Sequence, residues 1–187
     1  MSATKHAQQI KEDSQAYITT ALFQLLETKD LGEITVTALV KRAGVSRMAF
    51  YRNFETTADV ILKYFASKIN QVFDDVINQV PTEEKLTEID HFFETLSHEL
   101  KLAVDRHYEY LIQQLFNDGM RRYYDQNQVW QQLPKTQQRY WIAFMSAGVY
   151  AIWREWLLNR ESENLMAIHD IVGKFQSSTM LALKESN

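Results

Sequence analysis

The sequence predicts an all-α fold in two parts, a three-helix unit over residues 1–55 and a larger helical unit over residues 56–187. Three observations carry this. Apolar residues recur at the 3.6-residue helical spacing along most of the chain, and no pair of alternating, strand-like runs is evident. Five glycines and two prolines in 187 residues leave few places where a helix must stop. A hydrophobic content of 45% over this length is enough for one or two packed cores.

The first helix, about His6 to Glu27, gathers Tyr17, Ile18, Ala21, Leu22, Leu25 and Leu26 on one face, and Thr28 to Gly32 leads out of it. Thr35 stands just before Val36, Leu39 and Val40, where its hydroxyl can accept a hydrogen bond from an otherwise unpaired first-turn amide. Lys41 and Arg42 fall in the last turn of that short helix, at the negative end of its dipole. Gly44 follows, where a chain leaving a helix takes a left-handed conformation that side chains resist. Val45 can plug the corner, and Ser46 can cap a second short helix from about Arg47 to Asn53. Two short helices, a glycine turn and a hydroxyl at each start make a helix-turn-helix, whose second helix enters the major groove with its N-terminal residues at base edges. Double-stranded DNA is the partner this pattern implies.

Thr56 is placed to cap the next helix, with Asp59 three residues later as its capping-box partner. Val60, Ile61, Tyr64, Phe65, Ile69, Val72, Phe73, Val76 and Ile77 carry a broad apolar stripe towards Val80, and Pro81 ends it. Leu86, Ile89, Phe92, Phe93, Leu96 and Leu100 mark a fifth helix. A sixth is expected from about Asp105 to Asn117 and a short seventh from Met120 to Gln126. Two more, about Thr136 to Asn159 and Glu163 to Lys184, end the sequence. The first of this last pair is apolar on two sides, Trp141, Met145, Val149, Ile152 and Trp156 on one and Ile142, Phe144, Trp153 and Leu157 on another. Ala143, Ala147 and Ala151 form a ladder of small residues along which another helix can approach closely. That ladder serves either a helix buried centrally in one monomer or a helix paired with its copy across a two-fold axis, and a reader of palindromic DNA needs the second.

Charge is consistent with DNA contact at one end. Residues 1–55 carry seven basic and six acidic side chains, a balance of +1, and the net −4 of the whole sequence leaves −5 for the remainder. With no cysteine there are neither disulfides nor thiolate metal sites, and no cofactor is expected. No signal peptide or apolar run near 18 residues is evident, so a cytoplasmic protein with no membrane association is expected.

Arg47 is the first choice for reading a base, since its planar fork can bond guanine O6 and N7 together; a contact to phosphate alone is the other reading. Met48 and Ala49 suit a thymine methyl. Tyr51 can donate its hydroxyl to a phosphate, and Thr35, Thr37, Lys41 and Ser46 are backbone-contact candidates that position the module without reading sequence. Phe50 and Phe54 read as core.

The run Arg42-Ala43-Gly44-Val45-Ser46, the segment Tyr51-Arg52-Asn53-Phe54 and the helix start Asp59-Val60-Ile61 resemble the turn, recognition-helix end and fourth-helix start of the TetR family of bacterial transcriptional regulators. The resemblance covers roughly 50 residues. It implies a homodimeric regulator, more often a repressor, that binds a palindromic operator through the first 55 residues and is released by a small-molecule effector held among the helices of residues 56–187. Phe92, Tyr108, Phe116, Tyr123 and Trp141 are then ligand-pocket candidates, although aromatics at helical spacing are more often core. Ala143, Ala147, Ala151 and Trp156, with Val172 and Phe175 of the last helix, are candidates for the dimer interface. Two positions depart from the family pattern: Asn53 stands where a histidine or tyrosine is usual, and Thr57 where a lysine often touches phosphate. Both retain a hydrogen-bonding group for a phosphate oxygen, but the lost charge implies a shallower salt dependence.

Two other classes of function compete. Glu88 and His91 have the Glu-x-x-His spacing of metal-binding helical-bundle enzymes, with His98 seven residues on, yet the second such motif and further inward glutamates are missing. Polar residues on an exposed helical face account for these histidines. A helix-turn-helix protein acting mainly through a protein partner is the other alternative, motivated by the weak positive balance and by Thr57. Of the three, the non-enzymatic DNA-binding regulator is the reading the residues support.

Overall fold

The computed structural model describes residues 2–77, 82–126, 133–159 and 163–185. Among them are eight α-helices and no strand: α1 Ser2–Leu26, α2 Val36–Ala43, α3 Arg47–Asn53, α4 Thr57–Ile77, α5 Thr82–Asp105, α6 Glu109–Asp125, α7 Lys135–Leu158 and α8 Leu165–Glu185, with a 3-10 turn at Leu31–Glu33. Pro81 and the end of the fourth apolar stripe lie outside the described residues. No helix among those described is long and apolar enough to cross a membrane.

The sixth and seventh helices expected from the pattern are one helix, α6. Gly119 sits inside it, against the buried ring of Phe73, so a residue that costs helix propensity is retained where a neighbour occupies the space of a side chain. Packing overrides the local preference there.

The protein divides into two compact units, and the first comprises residues 1–67 with 98–112. Helix α1 packs on α2 and α3. Ile18, Leu22, Leu26, Leu39, Phe50 and Phe65 are fully buried in this unit. Tyr17, expected on the packed face of α1, is 60% exposed, because burial along that helix starts only at Ile18. Residues 98–112 are tied to the end of α1 by polar contacts. The His98 ring lies 2.8 Å from a Glu27 carboxylate oxygen, and the Arg106 guanidinium donates to the Glu27 carbonyl at 2.6 Å. That carbonyl, just past the last helical residue of α1, has no partner within the helix, so the guanidinium caps the C-terminal end of α1. Tyr108 is fully buried and donates to the Glu99 carbonyl at 2.9 Å, while Tyr64 donates to the Glu99 carboxylate at 3.1 Å. His107, at φ 57°, takes the left-handed turn between α5 and α6.

The second unit comprises residues 68–97 with 113–187. Helices α7 and α8 pack on each other within it. Trp141, Met145, Val149 and Trp156 of α7 and Ile168 and Val172 of α8 are buried. Cross-helix hydrogen bonds pin this packing: the Trp141 indole donates to Thr179 at 3.1 Å, Gln176 to the Tyr124 hydroxyl at 2.8 Å, and Arg122 to Asn70 at 2.8 Å and Asp74 at 3.2 Å.

Candidate nucleic-acid interface

The helix-turn-helix is built as its local signals require. The Ala38 amide donates to the Thr35 hydroxyl at 3.2 Å and the Ala49 amide to the Ser46 hydroxyl at 3.1 Å, which satisfies one otherwise unpaired donor at the start of each helix. Between them Gly44 adopts φ 68° and ψ 26°, and its amide donates to Val40. Val45 is half-buried at the corner, its own amide also on the Val40 carbonyl at 3.1 Å. The recognition helix, α3, stands on a single buried apolar residue, Phe50, with the Phe54 ring 5.8 Å away. At its far end the Phe54 amide donates to Phe50 at 2.8 Å, and the Lys63 amine from α4 donates to the Asn53 carbonyl while lying 4.8 Å from the centre of the Phe54 ring. Lys63 is not among the residues the sequence marks for this site. It stands ten residues beyond Asn53, and no local spacing rule links a cation at that distance to a helix end.

What α3 presents to solvent is Arg47, Met48, Tyr51 and Arg52. Met48 is 76% exposed and Tyr51 53%. Thr35, Thr37, Lys41 and Ser46 are exposed as well, and Ala49 is half-buried. Arg47 is held between the helices: one terminal nitrogen donates to Thr37 of α2 at 3.4 Å and the other to the Tyr51 hydroxyl at 3.3 Å. Arg42, by contrast, is turned back onto α1, donating to Gln24 at 2.8 Å.

One expected phosphate contact is corrected. Asn53 is buried, and its amide nitrogen donates back to the Ala49 carbonyl at 2.8 Å, so in this structure the side chain faces inward. Its side-chain oxygen is buried without a hydrogen-bond partner. Thr57 is half-exposed at the first residue of α4. The helix start beside it already holds an anion. Asp59 accepts from the amides of Glu55 at 2.9 Å and Thr56 at 2.7 Å, and its own amide donates to the Thr56 hydroxyl at 3.2 Å, the reciprocal capping box. A carboxylate there lowers the attraction of this helix end for a phosphate.

The ligand candidates are drawn from both units. Tyr108 belongs to the core of the first unit, whereas Phe92, Phe116, Tyr123 and Trp141 belong to the second. Trp141 is buried edge-to-face on Tyr124, centroids 4.5 Å apart, so the tyrosine against it is the neighbour of the expected Tyr123, which in turn packs on Tyr124 at 4.7 Å. Phe116 bridges Phe73 and Tyr150 at 5.2 and 5.6 Å. Phe92 is half-buried.

The candidate dimer residues also divide. Ala143, Ala147 and Ala151 are exposed along α7, and Phe175 is 54% exposed on α8. Trp156 and Val172 are buried within the unit, the Trp156 indole donating to the Glu163 carbonyl at 2.9 Å. The exposed set instead includes Tyr140 and Phe144 of α7 and Ile171 and Leu181 of α8. The Glu88 side chain lies outside the described residues, and His98 is engaged with Glu27. Among the described residues no three histidine or acidic side chains are grouped as metal ligands.

No curated protein matches this sequence. Residues 18–64, which run from the first buried residue of α1 through the helix-turn-helix into α4, match the family model described as bacterial regulatory proteins, tetR family. The match covers about a quarter of the sequence and makes its N-terminal part similar to the tetR family of bacterial regulatory proteins, which points to a DNA-binding regulator of transcription.

Proposed function

We propose that the protein is a repressor that binds a palindromic operator as a homodimer and is released by a small-molecule effector in the bacterial cytoplasm. On this reading residues 1–55 contact DNA, and residues 56–187 carry dimerisation and effector binding. The observation that carries the DNA part is the outward face of α3, where Arg47, Met48 and Tyr51 are exposed on a helix whose two ends are capped from within the protein. The arginine can bond a guanine edge, the methionine can meet a thymine methyl, and the surrounding hydroxyls and Lys41 can hold phosphates.

Support for the homodimer comes from the exposed alanine ladder of α7 flanked by Tyr140 and Phe144, together with Ile171, Phe175 and Leu181 on α8. Large apolar side chains on two helices that already pack on each other match the interior of a four-helix interface. Support for an effector is compositional. The second unit is rich in half-buried aromatics, Phe92, Phe116 and Tyr123 among them, with Gln176 and Thr179 as polar groups near Tyr124 and Trp141. Any effector must prefer the DNA-free state by the same factor by which it weakens operator binding.

Fluorescence anisotropy against duplexes selected from a random pool tests the DNA reading, with Arg47→Ala beside wild type. The expected result is salt-sensitive, selective binding by wild type and a loss of about 1–3 kcal/mol of base discrimination in the variant. Sedimentation of Ala147→Asp, expected to be monomeric at concentrations where wild type is dimeric, tests the interface. Failure to enrich any duplex would overturn the operator reading, and a dimeric Ala147→Asp would move the interface off α7.

A further inference from the structure

Arg47 has a long, exposed side chain, and such a group ordinarily samples many rotamers before it reaches a base, at a cost in affinity and selectivity. Here it is held at two points by residues from both helices of the motif, Thr37 near the start of α2 and Tyr51 one turn along α3, at 3.4 and 3.3 Å. The two bonds use different terminal nitrogens, so they restrict both the position and the rotation of the guanidinium. The Tyr51 ring centre lies 5.9 Å from the guanidinium carbon, and Phe50 packs edge-to-face on that ring at 5.3 Å, which ties the tyrosine to the buried residue of α3.

We infer that Thr37 and Tyr51 are specificity-determining residues that act through Arg47, aligning its fork for one base before the complex forms. The inference rests on the DNA-reading function proposed above and names two positioning residues for it. The donor count permits the role. A guanidinium has five N–H groups, two are used by the hydroxyls, and the three left over exceed the two that a guanine O6/N7 edge accepts. Each hydroxyl accepts from Arg47 and keeps its own proton, which Thr37 or Tyr51 can donate to a phosphate oxygen. An O–H that donates becomes a better acceptor, so engaging the backbone tightens the hold on the arginine. Phosphate contact and base reading are thereby linked through the same two oxygens.

The test uses the full-length protein and a duplex enriched by selection, with each guanine of the site replaced in turn by 7-deazaguanine, which lacks the N7 acceptor. The ratio of Kd for the replaced and unreplaced duplex measures discrimination at each guanine. Arg47→Ala should abolish the penalty at the guanine this residue reads. Thr37→Val and Tyr51→Phe remove only a hydroxyl, and Tyr51→Phe keeps the ring packing. Each should cut the penalty at that same guanine by about 2- to 12-fold, the cost of immobilising one rotamer-rich side chain, with the other guanines unaffected. If both variants weaken binding to replaced and unreplaced duplexes equally, the hydroxyls are phosphate contacts alone and the inference is overturned. If Arg47→Ala leaves every penalty in place, it falls while the operator reading stands; if no duplex is enriched, both fall.

Discussion

The helix-turn-helix and the second unit hold their polar groups over different distances. In the first, hydroxyls and carboxylates bond backbone amides three or four residues away, as Thr35 does with Ala38, Ser46 with Ala49 and Asp59 with Thr56 and Glu55. In the second, side chains bond across helices that are far apart in sequence, Trp141 with Thr179, Gln176 with Tyr124 and Arg122 with Asn70. Local caps set the shape of a small module and leave its outer face free for contact. Long-range pins fix a packed body and spend their polar groups doing so. A reading surface and an aromatic-rich body therefore place different demands on the same kinds of residue.

The largest effect that sharpens this contrast is expected at Gly119. In Gly119→Ala the new methyl falls against the buried Phe73 ring, closer than side-chain atoms approach one another, so one element must shift. Overpacking of this kind costs about 1–3 kcal/mol, and thermal unfolding should show the loss even though alanine favours helices. Ser46→Ala should cost about 1 kcal/mol and Ser46→Gly only a few tenths, with the loss in DNA affinity following the same order. If Ser46→Ala proved as damaging as Gly119→Ala, the module would depend on more than its caps.

A further effect lies in alkaline solution. Burial, followed by the charge of Glu99 and the hydrogen bond to it, raises Tyr64 from 10.0 to about 12. Burial also raises Tyr108 and Tyr124, with Glu99 adding to the first and Tyr123 to the second. A raised folded-state value means that the contribution of Tyr64 to stability is complete below pH about 10 and is lost as pH rises towards about 12. Chemical denaturation across that window should show the decline, and Tyr64→Phe should flatten part of it. A wild-type curve with no slope there would show that the phenol is as solvated folded as unfolded.

The two regions were also unequally legible. Thr35, Gly44, Ser46 and the Thr56–Asp59 pair announced their structure because capping and left-handed turns depend on neighbours in sequence, and the bounds of α2 and α3 follow from them. Asn53 misled because its amide suits a phosphate and a helix carbonyl equally well, and only packing decides that it turns inward. In the second unit the apolar spacing placed helices but not their partners. It gave no reason for Gly119 to sit inside α6, for Tyr124 to meet Trp141, or for Tyr108 to join the first unit. Those outcomes depend on which surfaces fill one another in space.

The caps and the buried side of α3 come from residues other than Arg47 and Met48. Its beginning is closed by Ser46, its end by Lys63 and the Phe54 amide, and its underside by Phe50. On the proposed reading, exchanging Arg47 or Met48 for other residues would change which bases are favoured at little expense in stability. If that reading holds, a duplicated copy of such a gene could drift towards a new operator through intermediates that remain folded, because the residues proposed to choose the target are separate from those that shape the helix.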